Sequence, residues 1–252
     1  MPTPPFCVNF PHLMISFSTP LIPARFLRRE KRFLAEVELA GGRRLWVHVP
    51  NSGALTGCAS PGLEILLTAD GRLSRKTSHT WRFSRIAGGW TCIDTLTPNR
   101  LVAGALAAGG LPGLPRPVSF RAEAPLPSGA RLDFAGDLGG RLFFVEVKSV
   151  TWVEDGVALF PDGVTSRGRR HLEELAALAA LGHEAWQVFV VQRQDAKVFR
   201  AAAQVDPAYA RELAKVAHLG VKILVLAARV EPPNITLAST LPFDLSFPSD
   251  SL

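Results

Sequence analysis

The stretch that decides the fold is Phe143-Phe144-Val145-Glu146-Val147-Lys148-Ser149-Val150. Its apolar residues predict a buried β-strand, yet it carries a carboxylate and a lysine two positions apart. Side chains at positions i and i+2 leave a strand on the same face. Glu146 and Lys148 therefore point the same way, while Val145 and Val147 point into a core. Charged groups are rarely placed on an apolar strand unless something pairs with them.

A second strand-like run, Arg131-Leu132-Asp133-Phe134, lies a short step upstream and carries an acid among apolar residues. If the two strands pair, Asp133 and Glu146 can converge on one divalent cation, with Lys148 beside them. This Asp…Glu-x-Lys arrangement resembles the core of the PD-(D/E)xK nuclease-like fold. The alternative is a simple ion pair between Glu146 and Lys148 on a strand edge, because Glu-x-Lys is a common tripeptide.

Composition narrows the class of protein. The 252 residues allow one large or two modest domains, and 47% hydrophobic residues are ample for a packed core. The longest apolar runs are too short to span a bilayer, so we expect no membrane partner. The three cysteines, Cys7, Cys58 and Cys92, have no metal-ligand spacing and fit a reduced, cytoplasmic location. Residues 1–13 lack the basic start of a signal peptide, and we expect a disordered extension or a wrongly assigned start.

The net charge of +6 is unevenly placed along the chain. Residues 1–100 hold thirteen Lys and Arg against six Asp and Glu, whereas residues 101–252 hold fifteen against sixteen. A polyanionic partner would therefore be held chiefly by the N-terminal part. A solvated basic face without a partner is the alternative.

The pattern of the chain predicts two domains of different class. Short alternating strands with Gly and Pro turns between residues 25 and 95 predict an OB-like β-barrel, which we place at residues 14–97. A short helix candidate and a Pro/Gly-rich run make residues 98–117 a predicted linker. Residues 118–241 follow the order βββ-α-β-α-β, which predicts a mixed α/β sheet. Residues 242–252 are a predicted tail.

The block Phe160-Pro161-Asp162-Gly163-Val164-Thr165-Ser166-Arg167-Gly168-Arg169-Arg170-His171-Leu172 combines a turn with a helix start. Thr165 or Ser166 is a candidate N-cap, and Arg167, Arg170 and His171 then sit on the first turns. Helix N-termini attract anions, so donors there suit a phosphate. The alternative is an N-capped amphipathic helix with a solvated polar face.

An ordered set of motifs makes the resemblance to a known family specific. These motifs are Lys31-Arg32-Phe33-Leu34-Ala35, His48-Val49-Pro50-Asn51-Ser52-Gly53, Arg75-Lys76, Asp94-Thr95 with Asn99-Arg100-Leu101, Glu146 to Val150, Phe160 to Leu172, and Asp206-Pro207 with Tyr209. Together they resemble the sugar fermentation stimulation protein A (SfsA) family over about Met14 to Leu241. The resemblance implies an N-terminal OB-like barrel joined to a C-terminal mixed α/β PD-(D/E)xK nuclease-like domain, an α+β protein overall. Gly163 departs from the Ala that is frequent in the family.

The same resemblance implies the chemistry of the site. Asp133 and Glu146 would be metal ligands, with the carbonyl of Val147 a further ligand and Lys148 orienting the attacking water. Glu123, on the preceding strand, would help at a second metal or through water. Hard oxygen ligands favour Mg²⁺, with Mn²⁺ as a usual substitute.

Nucleic-acid contacts are expected from both domains. In the N-terminal part Asn51, Arg75, Lys76 and Arg32 are the candidates, although Asn51 can also serve turn geometry alone. In the C-terminal part Arg167 and His171 are the candidates. The leading expectation is a Mg²⁺- or Mn²⁺-dependent nuclease-like protein acting on DNA, with RNA as a further substrate. A non-catalytic DNA-binding regulator of sugar (maltose) utilisation genes is the alternative, and a homodimer is an open possibility.

Overall fold

The structure, a computed structural model, describes residues 14–18, 20–70, 77–86 and 89–246. The predicted Arg75 and Lys76 contacts, and Cys7, lie outside these residues. The strands are β1 (Met14–Ser16), β2 (Ile22–Glu30), β3 (Leu34–Leu39), β4 (Arg44–His48), β5 (Glu64–Ala69), β6 (His79–Ile86), β7 (Gly89–Cys92), β8 (Gly110–Leu111), β9 (Leu114–Pro115), β10 (Ser119–Pro125), β11 (Arg131–Asp137), β12 (Leu142–Val150), β13 (Trp152–Glu154), β14 (Val157–Phe160), β15 (Glu184–Val191), β16 (Val198–Ala201), β17 (Lys222–Glu231), β18 (Asn234–Thr240) and β19 (Phe243–Asp244). The helices are α1 (Leu96–Ala108), α2 (Ser166–Ala180) and α3 (Pro207–His218).

The N-terminal strands form the predicted OB barrel. β2 pairs with both β3 and β5, and β3 continues to β4 while β5 continues to β6. A parallel bridge between His48 and Thr80 joins β4 to β6 and closes the barrel. Alternating residues fill its interior, among them Ala35 and Val37, which are fully buried. This closed arrangement removes the sheet edges that an open set of short strands would expose.

The C-terminal domain is built on a seven-stranded mixed sheet with the order β1-β18-β17-β15-β12-β11-β10. β12, β15 and β17 are parallel, as crossover connections through helices require. β10, β11 and β12 are joined by antiparallel pairing. A second, four-stranded sheet has the order β13-β14-β16-β19.

Each face of the large sheet is covered by helix. Val145, Val147 and Val188 join a core on one face that includes α1 residues and the barrel residue Phe83. The opposite face packs against α2 and α3. Glu146 and Lys148 alternate with Val145 and Val147, so they leave β12 on the face opposite those two valines, as the two-residue spacing predicted.

Both C-terminal helices begin where the sequence predicted. Thr165 caps α2 by accepting a hydrogen bond from the backbone N–H of Gly168 at 3.0 Å. Asp206 caps α3 by accepting one from the N–H of Tyr209 at 2.9 Å, with Pro207 in the first turn. The cap of α3 also ties the two helices together, because Asp206 accepts a bond from the N–H of Thr165 at 2.9 Å. No helix in the described part of the chain is long and apolar enough to cross a membrane.

Two predicted domain boundaries differ from the structure. β1 pairs with β18 at the edge of the C-terminal sheet, so Met14–Ser16 do not belong to the barrel. Residues 98–117 are not a linker, because Leu101, Val102 and Leu106 of α1 are fully buried in the core. A Pro/Gly-rich composition predicted a spacer, but the apolar spacing of α1 gives it a face that must be buried.

Candidate active site

Glu146 is the centre of a buried polar cluster on β12. Its side chain is 4% exposed, and its Oε1 atom accepts a hydrogen bond from Lys148 Nζ at 2.5 Å. His171 Nδ1, from α2, contacts the same oxygen. Burial alone would raise the pKa of Glu146, but the hydrogen bond from His171 and the charge of Lys148 outweigh it and hold that pKa below its ordinary value. Glu146 is therefore a carboxylate at neutral pH.

The second carboxylate oxygen of Glu146, unlike the first, has no hydrogen-bond donor in the described part of the chain. Oε2 is buried and has no hydrogen-bond partner among the described residues. A buried charged oxygen without a partner is costly, and such an atom calls for an explanation such as an ion or a water. The hydroxyl of Tyr209 is also buried without a partner, and burial together with the charge of Glu146 raises its pKa. Tyr209 thus stays neutral near the carboxylate.

Asp133, on the neighbouring strand β11, is held by two donors. Its Oδ2 accepts a hydrogen bond from the backbone N–H of Val147 at 2.7 Å, and its Oδ1 accepts one from Asn99 Nδ2 at 2.6 Å. Burial, followed by the charge of Glu146, raises the pKa of Asp133 to about 6. Asp133 is thus bonded to the backbone of the residue that follows Glu146, on the neighbouring strand.

The residues present fit a hard divalent cation. Two carboxylates repel each other in a largely buried place, and one of their oxygens has no partner. No cluster of three or more His, Cys, Asp or Glu side chains suited to a metal occurs among the described residues. The chain would thus supply Asp133, Glu146 and the backbone of Val147 and leave other positions to water. Mg²⁺ favours such a site because it usually keeps several waters.

Glu123 does not take part in this cluster. Its side chain is 64% exposed and forms an ion pair with Arg131 at 3.0 Å. Its backbone is left-handed, with φ of 53°, and Glu123 has no partner in the otherwise continuous pairing of β10 with β11. The alternation of side-chain direction along β10 is interrupted at this residue. The predicted role of Glu123 at the metal is therefore wrong for this structure.

Two predicted nucleic-acid contacts are buried. His171 is 3% exposed; its Nδ1 faces Glu146, and its Nε2 accepts a weak hydrogen bond from Arg167 Nε at 3.4 Å. Asn51 is 7% exposed. Its side chain donates a hydrogen bond to the carbonyl of Ile93 and accepts one from the N–H of Gly53. In this structure both side chains are therefore engaged with neighbouring protein groups. Neither the turn motif around Asn51 nor the helix pattern around His171 could distinguish these roles, because such patterns do not give the depth of a residue.

Arg32 and Arg167 remain exposed and available. Arg32 lies at the tip of the β2–β3 hairpin, and Arg167 lies on the first turn of α2, directly beside His171. Both positions suit contact with an anionic backbone, which stays a prediction for these two residues.

Sequence reasoning missed the contacts that hold the loop at residues 49–55 and join it to the C-terminal domain. Arg29 donates to the carbonyls of Asn51 and Gly53, and Asp162 accepts a hydrogen bond from the N–H of Leu55 at 2.9 Å. A Cβ on Gly53 would lie 2.8 Å from both carboxylate oxygens of Asp162. Asn99 was also missed as a partner of Asp133. Asn51, Gly53, Asn99 and Asp162 stand in the ordered motifs, whereas Arg29 and Leu55 do not. A motif does not reveal which residues contact each other.

Comparison with known proteins covers both domains. The model of the SfsA N-terminal OB domain matches residues 27–93, and that of the sugar fermentation stimulation protein RE domain matches residues 96–234. A sugar fermentation stimulation protein homolog of Citrifermentans bemidjiense is 42% identical over 225 residues, covering 88% of this chain and 96% of the relative. A homolog of Thioalkalivibrio sulfidiphilus is 41% identical, covering 92% and 99%. The structure of Pyrococcus furiosus SfsA in complex with Ca²⁺ matches with a TM-score of 0.80 and 27% identity, covering 91% of this chain and 98% of that one.

Proposed function

The chain belongs to the sugar fermentation stimulation protein family, and on that premise we propose that it is a divalent-cation-dependent, nuclease-like protein that hydrolyses phosphodiester bonds in DNA. The observation that carries the proposal is the pair Asp133 and Glu146. These two mutually repelling carboxylates include a buried oxygen without a partner, and Lys148 stands beside them. The Pyrococcus furiosus relative is described as a complex with Ca²⁺, which supports a site for a hard cation in this family.

The cation would be held by Asp133, Glu146 and the carbonyl of Val147. When bound, it would polarise a phosphoryl oxygen and lower the pKa of a coordinated water. His171 and Lys148 both engage Oε1 of Glu146, which fixes the carboxylate and leaves Oε2 free for a ligand. Partners of this kind commonly orient metal-binding side chains.

Lys148 has the chemistry to act on the substrate itself. Its ammonium group is largely shielded from solvent, with 16% of the side chain exposed, and it carries three donors of which Glu146 needs one. The remaining donors can orient an attacking water and steady negative charge on the phosphate, where a low-dielectric site strengthens the effect.

A DNA-binding regulator without catalysis is the second candidate. The excess of thirteen Lys and Arg over six Asp and Glu in residues 1–100 favours binding of a polyanion whether or not the site is active. Regulation of sugar use would then follow from occupancy of DNA rather than from cleavage.

The test combines cation binding with cleavage. Purified protein would be titrated with Mn²⁺ in a calorimeter and incubated with DNA and RNA substrates in Mg²⁺ or Mn²⁺. Asp133→Ala and Glu146→Ala should lose both cation binding and cleavage. Glu123→Ala is the matched control, since it removes an exposed carboxylate from the same pair of strands, and it should retain both properties.

The outcomes separate the two candidates. Cleavage by the wild type that disappears in Asp133→Ala and Glu146→Ala supports the nuclease. DNA binding without cleavage under any cation would replace it with the regulator. Cleavage that persists in both carboxylate variants would place the chemistry elsewhere.

A further inference from the structure

Three exposed apolar side chains belong to segments that contact one barrel loop, which also contacts the C-terminal domain. Phe33 is 50% exposed, Leu96 is 67% exposed and Val164 is 77% exposed. Single exposed apolar residues are common and need no explanation. Here all three belong to segments that meet one short loop, residues 49–55.

The contacts of that loop show how the three segments converge. The carbonyl of Phe33 accepts a hydrogen bond from the N–H of Val49 at 2.9 Å. The carbonyl of Pro50 accepts one from the N–H of Thr95 at 3.2 Å, and Thr95 immediately precedes Leu96. Asp162, two residues before Val164, accepts one from the N–H of Leu55. Phe33, Leu96 and Val164 therefore rise from segments anchored to the same few residues.

The hairpin tip that presents Phe33 is rigidly built. Lys31 and Arg32 both have left-handed backbones, with φ of 47° and 59°, which is strained for residues other than glycine. Arg29 compensates by donating to the carbonyl of Arg32 and, from the same guanidinium group, to the carbonyls of Asn51 and Gly53. The tip is thus fastened to the domain junction and is not a loose turn.

The charge at this place complements an anionic chain. Lys31 and Arg32 are exposed, and neither has an ion pair with an acid in the part of the chain that the structure describes. Arg100 and Arg167 are exposed on the first turns of α1 and α2, next to Leu96 and Val164. Asn99 leads directly from this surface to the site, because it donates to Asp133.

We propose that the junction surface, formed by Lys31, Arg32, Phe33, Leu96 and Val164, docks an unpaired nucleic-acid strand and leads it to Asp133 and Glu146. The inference rests on the proposed function and specifies its substrate as single-stranded. In a duplex the base faces are stacked and hidden, so apolar side chains find no partner there. In an unpaired strand those faces are open, and aromatic stacking combined with backbone-tracking cations is the usual mode of recognition.

The test compares binding of one sequence in two forms. A fluorescein-labelled DNA of 15 nucleotides and its duplex would be titrated with the full chain by fluorescence anisotropy in EDTA, so that no cleavage interferes. The wild type should bind the single strand more tightly. Phe33→Ala should weaken that binding about tenfold through lost stacking and change duplex binding by less than about twofold. Its salt dependence should stay the same, because no charge is removed.

Two further variants serve as controls. Phe33→Trp should restore single-strand binding, since the indole ring also stacks. Leu181→Ala removes another exposed apolar side chain, 73% exposed, at the far end of α2, whose 15 residues span roughly 22 Å at 1.5 Å per residue. It should bind both DNA forms like the wild type.

The outcomes distinguish this inference from the function on which it rests. If Phe33→Ala weakens both forms equally, or neither, while the wild type still binds and cleaves, the junction surface is not a stacking site and the nuclease stands. If the wild type neither binds DNA in EDTA nor cleaves it in Mn²⁺, both ideas fail. Sedimentation velocity tests whether a second copy of the chain occupies this surface instead. A wild-type dimer that becomes a monomer in Phe33→Ala would make the surface an interface between copies and overturn the inference.

Discussion

Replacing Asp133 by asparagine should stabilise this protein at neutral pH. The carboxyl titrates near 6 in the folded state instead of 3.8, because it is buried and lies close to Glu146. Each pKa unit corresponds to about 1.4 kcal/mol. Keeping Asp133 charged therefore lowers the free energy of unfolding by about 3 kcal/mol at pH 7.

The sign follows from the raised pKa. Well below pH 3.8 the carboxyl of Asp133 is protonated in both the folded and the unfolded state, so its burial does not lower the free energy of unfolding. As the pH rises, the unfolded chain loses the proton first, so the penalty grows up to about pH 6 and is constant above it. Asp133→Asn does not titrate, and its advantage over the wild type should be largest above pH 6 and about half as large at pH 5.

The geometry allows the substitution. The amide can accept the hydrogen bond from the N–H of Val147 and donate to Asn99, provided that the Asn99 amide turns over to present its oxygen. Urea unfolding at several pH values gives the free energies, measured in EDTA for both proteins. Mn²⁺ should then stabilise the wild type and leave Asp133→Asn unaffected.

The matched control has the opposite sign. Arg193 holds the pKa of Asp195 below its ordinary value, so Asp195→Asn should lose stability at neutral pH. The reasoning about Asp133 is refuted if Asp133→Asn is less stable than the wild type at pH 7 and becomes relatively more stable as the pH falls to 5.

The remaining predictions concern the groups around the carboxylates and the domain junction. Asn99→Ala removes one donor from Asp133 and should weaken Mn²⁺ binding about tenfold in calorimetry, without changing the fold seen by circular dichroism. Lys148→Met should leave Mn²⁺ affinity within about twofold but lower the cleavage rate at least about a hundredfold; equal losses of both would make the lysine a structural ion-pair partner. Gly53→Ala places a Cβ 2.8 Å from the oxygens of Asp162 and should lower the free energy of unfolding in urea by about 1–3 kcal/mol. Unchanged stability would show that Asp162 can move away from the added methyl group.

The sequence was most informative where local rules act alone. The caps at Thr165 and Asp206 locate their helices, since a side-chain acceptor at a helix start is a short-range property. The two-residue spacing of Glu146 and Lys148 gave their common face for the same reason. Glu123 shows the limit of that rule, because an irregular left-handed residue in β10 breaks the alternation without leaving a readable mark.

Local sequence rules could not predict the contacts between segments that are distant in the chain. His171 looks like a surface donor in an amphipathic helix, and only the packing of α2 on the large sheet turns it toward Glu146. The hydrogen bond between Asn99 and Asp133 spans 34 residues. Neither contact leaves a periodic pattern, since each depends on how a helix is placed against a strand far away in the chain.

The site is therefore a property of both domains together. Arg29 of the barrel holds the loop at Asn51 and Gly53, and Pro50 of that loop accepts a hydrogen bond from Thr95 at the start of α1. One turn further along α1, Asn99 fixes a carboxylate of the proposed metal site. The core reinforces the connection, because Phe83 and Cys92 from the barrel strands pack in one cluster with Val147. A barrel that merely tethered nucleic acid would need none of these contacts. Under the proposed function, the link would let the barrel set where a bound strand meets Asp133 and Glu146.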